Sequence, residues 1–345
     1  MPAPSDPRLN CGCELPESAS SRRSFLRTAA TGLAAATTAG RLWSPAGALA
    51  APRPADTSET LAAQLHKSLT ESQRAALCFD FDHPLREKVD NNWMITRKGI
   101  RDVLNADQQD LVRQIFRHLH APEFQDRAME QIVHDSEGKG FEGGTSVALF
   151  GEPGSGRFEF VITGRHCTRR CDGDSVGGAA FGGPIFYGHQ AGTKDQEPSD
   201  HPGNVFWHQA KRVNEVFQAL DGKQRAAALV DARSRGEQAS ATVKLTGQKT
   251  GLPGIPLTEL TRDQRGLVRT VLADLLAPFR KPDAEEALKL VEAQGLENLS
   301  LAYFKPQDVG NDGVWDVWQI EGPQMLWYFR GEPHVHCWVH IRDRA

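Results

Sequence analysis

The chain is predicted to fold as an α+β protein: a mainly antiparallel sheet flanked by capped helices, built from two pseudo-repeated helix–helix–strand halves. Three observations predict this. Four helix starts share one capping pattern, two matching strand pairs follow them at similar distances, and the C-terminus reads as three strands split by glycine–proline turns.

The N-terminus comes first and is expected to lie outside the fold. Ser21-Arg22-Arg23-Ser24-Phe25-Leu26 precedes a weakly apolar stretch ending at Ala48-Leu49-Ala50. A charged region, an apolar region and a small-residue cleavage site make a removable signal, and the paired arginines assign it to the twin-arginine route. Residues 1–50 are therefore read as a signal peptide and 51–68 as a linker. The expected location is periplasmic or extracellular, with the twin-arginine translocase as a partner during export. Leu26 to Gly40 is too short and too rich in Thr and Gly to remain in a bilayer, so no permanent membrane anchor is expected. The 295 residues from Ala51 onward suffice for a substantial core and carry 35 basic against 41 acidic side chains. With no basic stripe, nucleic acid is excluded as a partner.

Residues 69–345 are read as a single domain, with half one at 69–175, a Gly-rich connecting loop at 176–202 and half two at 203–341. The helix starts are Leu69-Thr70-Glu71-Ser72-Gln73, Leu104-Asn105-Ala106-Asp107-Gln108, Leu220-Asp221-Gly222-Lys223-Gln224 and Leu260-Thr261-Arg262-Asp263-Gln264. Thr, Asn or Asp accepts from a free N–H of the first turn, and Gln three residues on reaches back to the cap's own N–H. Apolar residues then recur at helical spacing, as in Leu111, Ile115 and Leu119 or Leu267, Val271 and Leu275. Pro122 and Pro278 stop these two helices. Behind them come Ser146–Phe150 and Ser300–Phe304, then Phe158–Gly164 and Asp316–Gly322. The spacings match: 35 and 40 residues between helix starts, then 42 and 40 to the first strand. Short connections predict antiparallel pairing in one sheet, with the halves related by a pseudo-twofold axis.

The meander runs Val314–Glu321, Gln324–Arg330 and His334–Ile341. In its last strand Val335, Cys337, Val339 and Ile341 take one face, and His334, His336, Trp338 and His340 take the other. The aliphatic face is expected to pack on the helices. His-x-His in a strand sets two imidazoles about 7 Å apart at Cα, close enough to share an ion with bonds near 2.0 Å. The expected ligands are His334, His336 and His166, which follows Gly164-Arg165 in half one. His189, in the glycine-rich Phe181–His189 stretch, is the fourth candidate. Imidazole donors imply one transition metal ion, zinc or copper foremost. Arg165, Tyr187, Trp338 and Arg330 are candidate contacts for a small-molecule substrate. Arg165, which would repel a metal, should face an anionic substrate or a carboxylate such as Asp172 or Asp174. Those two acids read as a turn, Glu142 as a base or the start of a strand, and His201 and His208 as surface residues flanking a helix start at Asn204.

Four cysteines follow the signal. If both sit in one strand, Cys167 and Cys171 lie about 13 Å apart and do not pair with each other, and a partner such as Cys337 stays open. No nucleophile elbow, phosphate loop, dinucleotide fingerprint or HExxH is present.

Gly164-x-His166, the Gly322-Pro323 turn and Phe329-Arg330-Gly331-x-Pro333-His334-Val335-His336 resemble exported bacterial proteins of the domain-of-unknown-function family numbered thirty-five hundred. The resemblance spans most of the chain from Leu69 and implies no activity. Arg165 stands where many members resemble Gly-His-His. Two functions compete. One is an exported histidine-site metalloprotein acting as a redox or hydrolytic enzyme. The other is a binding module whose Trp318, Trp327, Tyr328 and Trp338 line a pocket for a sugar or other flat ligand.

Overall fold

The computed structural model describes residues 57–190, 204–308, 312–331 and 334–345. The expected signal at 1–50, the end of the connecting loop with His201, and Pro333 lie outside the described residues.

All four expected capping boxes form. Thr70, Asn105, Asp221 and Thr261 cap helices α2 (Glu71–Leu77), α4 (Ala106–His118), α8 (Gly222–Ala228) and α9 (Arg262–Leu276), each with its glutamine reaching back. A cap of this kind contributes about 1 kcal/mol. The glutamines also bond one another in pairs. Gln73 Nε2 donates to Gln108 Oε1 at 2.8 Å and Gln108 Nε2 returns the bond at 3.0 Å. Gln224 and Gln264 do the same at 2.9 and 2.7 Å. Each capping residue therefore also docks two helix starts side by side.

The other helices are α1 (Ser58–Ser68), α3 (Ile100–Val103), α5 (Gln125–Asp135), α6 (Gly140–Gly144), α7 (His208–Gln218) and α10 (Lys281–Ala293). Helix α1 corrects the linker reading of 51–68. Thr57 caps it with Thr60 completing the box, and Leu61, Ala62 and Leu65 are buried in one cluster with Val112, Ile115 and Phe116 of α4. Thr in place of Gln at the third position disguised the cap. Helix α7 begins at His208 rather than Asn204, and His208 is half-buried, with Nδ1 3.0 Å from the Val205 carbonyl.

The strands are β1 (Cys78–Phe79), β2 (Thr145–Gly151), β3 (Phe158–Gly164), β4 (Cys167–Cys171), β5 (Ile185–His189), β6 (Leu229–Val230), β7 (Ile255–Pro256), β8 (Ser300–Phe304), β9 (Val317–Gly322), β10 (Met325–Arg330) and β11 (Val335–Ile341). Among the described residues they make one open sheet in the order β1-β2-β3-β4-β5-β11-β10-β9-β8-β6, with β7 on β8. The sheet is mixed. Eight pairings are antiparallel, but β1–β2 and β6–β8 are parallel. Those two connections carry helices, the length of chain a parallel crossover needs. The order runs outward from the β5–β11 pair, through β4, β3, β2 and β1 on one side and β10, β9, β8 and β6 on the other.

Both faces of the sheet are covered. Val335, Cys337, Val339 and Ile341 are buried with Val268, Val271 and Leu275 of α9, as their alternation predicts. The opposite face is closed by two irregular segments, 80–99 and 231–250. Val89 and Val243 from these segments pack with Phe186, Leu326, Tyr328 and Trp338. Arg86 binds Glu159 of β3 at 2.9 Å and Arg235 binds Glu321 of β9 at 2.8 Å, pinning each segment to the sheet.

The expected aromatic pocket does not form. Trp318 and Trp327 lie on the helix face, Tyr328 and Trp338 on the other, and all four are at most 1 % exposed. Strand alternation separates them, because 327 and 328 are neighbours on one strand. Among the described residues Cys78, Cys167, Cys171 and Cys337 are free thiols. Cys167 faces Tyr187, which faces Cys337, so two strand spacings, about 10 Å, keep them out of disulfide reach.

Candidate metal centre

The hairpin between β3 and β4 has two loop residues, Arg165 and His166, closed by the Gly164–Cys167 pair. His166 sits at φ 52°, in the left-handed region, where a non-glycine residue costs on the order of 1–3 kcal/mol. Its N–H donates to the Asn91 carbonyl at 2.8 Å, and Asn92 bridges Arg165, so segment 80–99 holds the turn. The twist carries the imidazole across β5. It passes over Gly188, where a Cβ would lie 3.3 Å from His166 Cδ2 and 2.0 Å from the Val335 carbonyl oxygen.

There it meets the two histidines of β11. His166 Nε2 is 3.0 Å from His336 Nε2, which is 2.9 Å from His334 Nε2. The ligand atoms of all three lie within 4.8 Å of one another, a grouping able to hold a metal ion. A tetrahedral shell with bonds of about 2.1 Å separates donors by about 3.4 Å, so the His166–His336 and His334–His336 pairs need to part by only a few tenths of an ångström.

Two carboxylates stand behind the rings. His166 Nδ1 bonds Asp135 Oδ2 at 2.8 Å, and His336 Nδ1 bonds Glu237 Oε2 at 2.5 Å. Asp135, at the C-terminus of α5, also accepts from Gln131 Nε2 at 2.7 Å and from the Gln190 N–H at 3.0 Å. Glu237 is gripped by Arg330, with Nε on Oε1 at 2.8 Å and an Nη on Oε2 at 3.3 Å. Burial, the largest influence, holds His336 well below the usual histidine range despite Glu237, so its ring is neutral. Burial works against ionising Glu237, but its bonds to His336 and Arg330 outweigh it and draw the carboxyl down to about 2.

A carboxylate only accepts, so each Nδ1 that faces one carries the proton. Both Nε2 atoms then present lone pairs to each other at 3.0 Å. Two acceptors at that distance repel unless a cation lies between them.

His189 is not in this cluster. Gly188 occupies the histidine face opposite His336, so alternation turns His189 to the helix side. Its Nδ1 lies 3.4 Å from Asp135 Oδ1 and its ring stacks on His134 at 5.2 Å, behind the carboxylate that orients His166. Tyr187 is fully buried on the helix face, donating to Gln209 at 2.9 Å, and Trp338 is fully buried against Phe186. Neither is placed to touch a substrate. Arg330 grips Glu237 instead. Arg165 does reach a carboxylate, but it is Glu137 at 2.5 Å rather than Asp172 or Asp174, which lie at the far end of β4. Asp172 accepts from the Val176 N–H at 2.7 Å in the expected turn, and Glu142 pairs with Arg113. His340 is held by the Val243 carbonyl at 2.8 Å, away from the triad.

Sequence reasoning missed Asp135 and Glu237. Asp135 follows four residues after Gln131 on an unremarked helix, and Glu237 lies in an irregular segment without periodicity. A surface cleft of about 650 Å³ between α9 and the end of α10 contains none of the site residues. A cleft of about 100 Å³ borders Asp135 and Arg165.

Fold and site together define an α+β protein with a buried three-histidine cluster able to bind a metal ion. The chain belongs to the family described as protein of unknown function (DUF3500), which matches residues 52–344. No curated protein and no solved structure matches the chain.

Proposed function

We propose that this is an exported metalloprotein in which His166, His334 and His336 hold one transition metal ion, zinc or copper, for a hydrolytic or redox reaction. The observation that carries the reading is the pair of carboxylate-fixed rings. Asp135 and Glu237 dictate which nitrogen of His166 and His336 is bare, and both bare nitrogens face one point. Ligating histidines usually have such partners on their other nitrogen. An ion with an open position would supply Lewis acidity or redox chemistry. The chain's own groups fix the ring orientations, the charge around the site and its dryness. No comparable feature supports a sugar-binding module.

The test is metal analysis of untagged protein purified without chelator, followed by zinc and copper titration. About one ion per chain is expected, lost in the His334→Ala, His336→Ala double variant. Wild-type protein that takes up neither ion would end the reading.

Export belongs to the same proposal. The twin-arginine segment and cleavage near Ala50 would deliver a folded, already loaded protein to the periplasm or beyond, with the translocase as a transient partner. Among the described residues no helix is long and apolar enough to cross a membrane. Changing Arg22 and Arg23 together to Lys should leave precursor in the cytoplasm, and normal secretion of that variant would refute the assignment.

We further propose that one domain arose by duplication, its halves separated by the connection at 176–202. Support comes from the capping glutamine pairs, Gln73–Gln108 and Gln224–Gln264, and from the parallel outer pairs β1–β2 and β6–β8.

A further inference from the structure

The cleft between α9 and the end of α10 lies apart from the histidine cluster, and we propose that it is a second binding site, for a small zwitterion such as a free amino acid. Its volume, about 650 Å³, is in the range of small-molecule sites. One wall is the N-terminal half of α9, where Arg262, Arg265 and Arg269 share a helical face by their spacing of three and four residues. The other wall is the C-terminal end of α10 and the turn behind it, with Glu292 and Glu297. No part of this depends on a metal ion at the triad.

The charges on the two walls are only partly spent on each other. Arg269 Nε donates to Glu292 Oε1 across the cleft. Arg265 donates to the Leu257 and Leu260 carbonyls and meets no carboxylate among the described residues. Among the same residues Arg262 and Glu297 have neither a hydrogen bond nor an ion pair. The cleft therefore offers available guanidinium groups on one side and an available carboxylate on the other. The helix dipoles have the same sense, because α9 begins and α10 ends here. A simple anion would leave Glu297 facing it, and a simple cation would face the arginines. A carboxylate toward α9 with an ammonium toward Glu297 suits both walls. Gly266 lies between the arginines and lines the same cleft. It has no left-handed φ, and a Cβ built on it meets no atom within 4 Å, so neither backbone nor packing calls for glycine. Glycine is a poor helix former. What its missing side chain leaves is room for a ligand.

The probes are the common free L-amino acids at millimolar concentration, screened against the wild-type protein by saturation-transfer NMR. The best binder is then titrated beside its N-acetyl and carboxamide derivatives, each lacking one of its two charges. At least one amino acid is expected to bind, and each derivative about tenfold more weakly. Arg262→Gln should weaken the amino acid without further weakening the carboxamide, and Glu297→Gln should do the same with respect to the N-acetyl form. Gly266→Trp should abolish binding by filling the cleft. Wild-type protein that binds no amino acid overturns the proposal, as do derivatives that bind as tightly as the parent. Undiminished binding by folded Gly266→Trp overturns the location.

Discussion

At the scale of single residues, the site depends on which nitrogen of each ring carries a proton. Asp135→Asn or Glu237→Gln lets the amide present N–H instead of oxygen and releases the tautomer. Either change should lower metal affinity about 10- to 100-fold in competition with a chromophoric chelator. Affinity equal to wild type in both would show that the carboxylates do not set the donors. Gly188 is constrained by space, since its added Cβ would lie 2.0 Å from the Val335 carbonyl oxygen. Gly188→Ala should force β5 and β11 apart, lowering the melting temperature and weakening metal binding together. A variant with wild-type values in both measurements would contradict the packing described. Legibility at this scale follows geometry. His334 and His336 could be read from alternation in one strand, but His166 owes its direction to a left-handed turn. Asp135 and Glu237 are brought in by tertiary packing, for which a single sequence holds no periodic signal.

Elements were legible where local chemistry repeats. Thr70, Asn105, Asp221 and Thr261 announced four helices because a cap and its glutamine lie within one turn. Strands β1 and β6, two residues each, escaped notice because alternation needs more residues to appear, and with them went the parallel pairs. Helix α10 carries a consequence of its own. Its Asp283 and Glu286 lie near Asp172, Asp174 and Glu59, with Arg280 as the cation among them. Burial, aided by these neighbouring carboxylates, pushes Glu286 up to about 7. Burial likewise carries Asp172 to about 6 against its bond from Val176. Above their ordinary values of 4.5 and 3.8, the unfolded chain releases protons that the fold retains. Their contribution is therefore complete below about pH 4, declines as pH rises and is gone above about pH 7. These two acids add a downward slope to the melting temperature from pH 5 to 8, opposite to that of the buried neutral histidines His120, His336 and His340, and calorimetry should show Glu286→Gln losing the downward part. An unchanged slope in the variant would exclude Glu286 as its source.

At the scale of the whole molecule, the three histidines come from both sides of the central β5–β11 ladder, so an ion held by all three would bind the folded state alone. Zinc at a hundred times its dissociation constant should add about 2.7 kcal/mol of stability, a shift of several degrees. Chelator should reverse it, and the His334→Ala, His336→Ala variant should show none. A wild-type melting temperature indifferent to metal would contradict a site built across the two sides. The α+β class and the single sheet were legible because patterning and turn chemistry agree along the chain. Which strands meet at the centre was not, because β5 and β11 are joined by no short turn. That seam also orders events in time. His166 and His336 are 170 residues apart in the chain, so their encounter waits on a long-range closure that the local helices and hairpins precede. A chain cut short before His334 has one histidine of the triad, and one whose sides have not zipped has at most two together at β11, so either would have only a weak grip on an ion. On the proposed reading, capture of a metal would therefore come late in assembly and report that the two sides of the sheet have met.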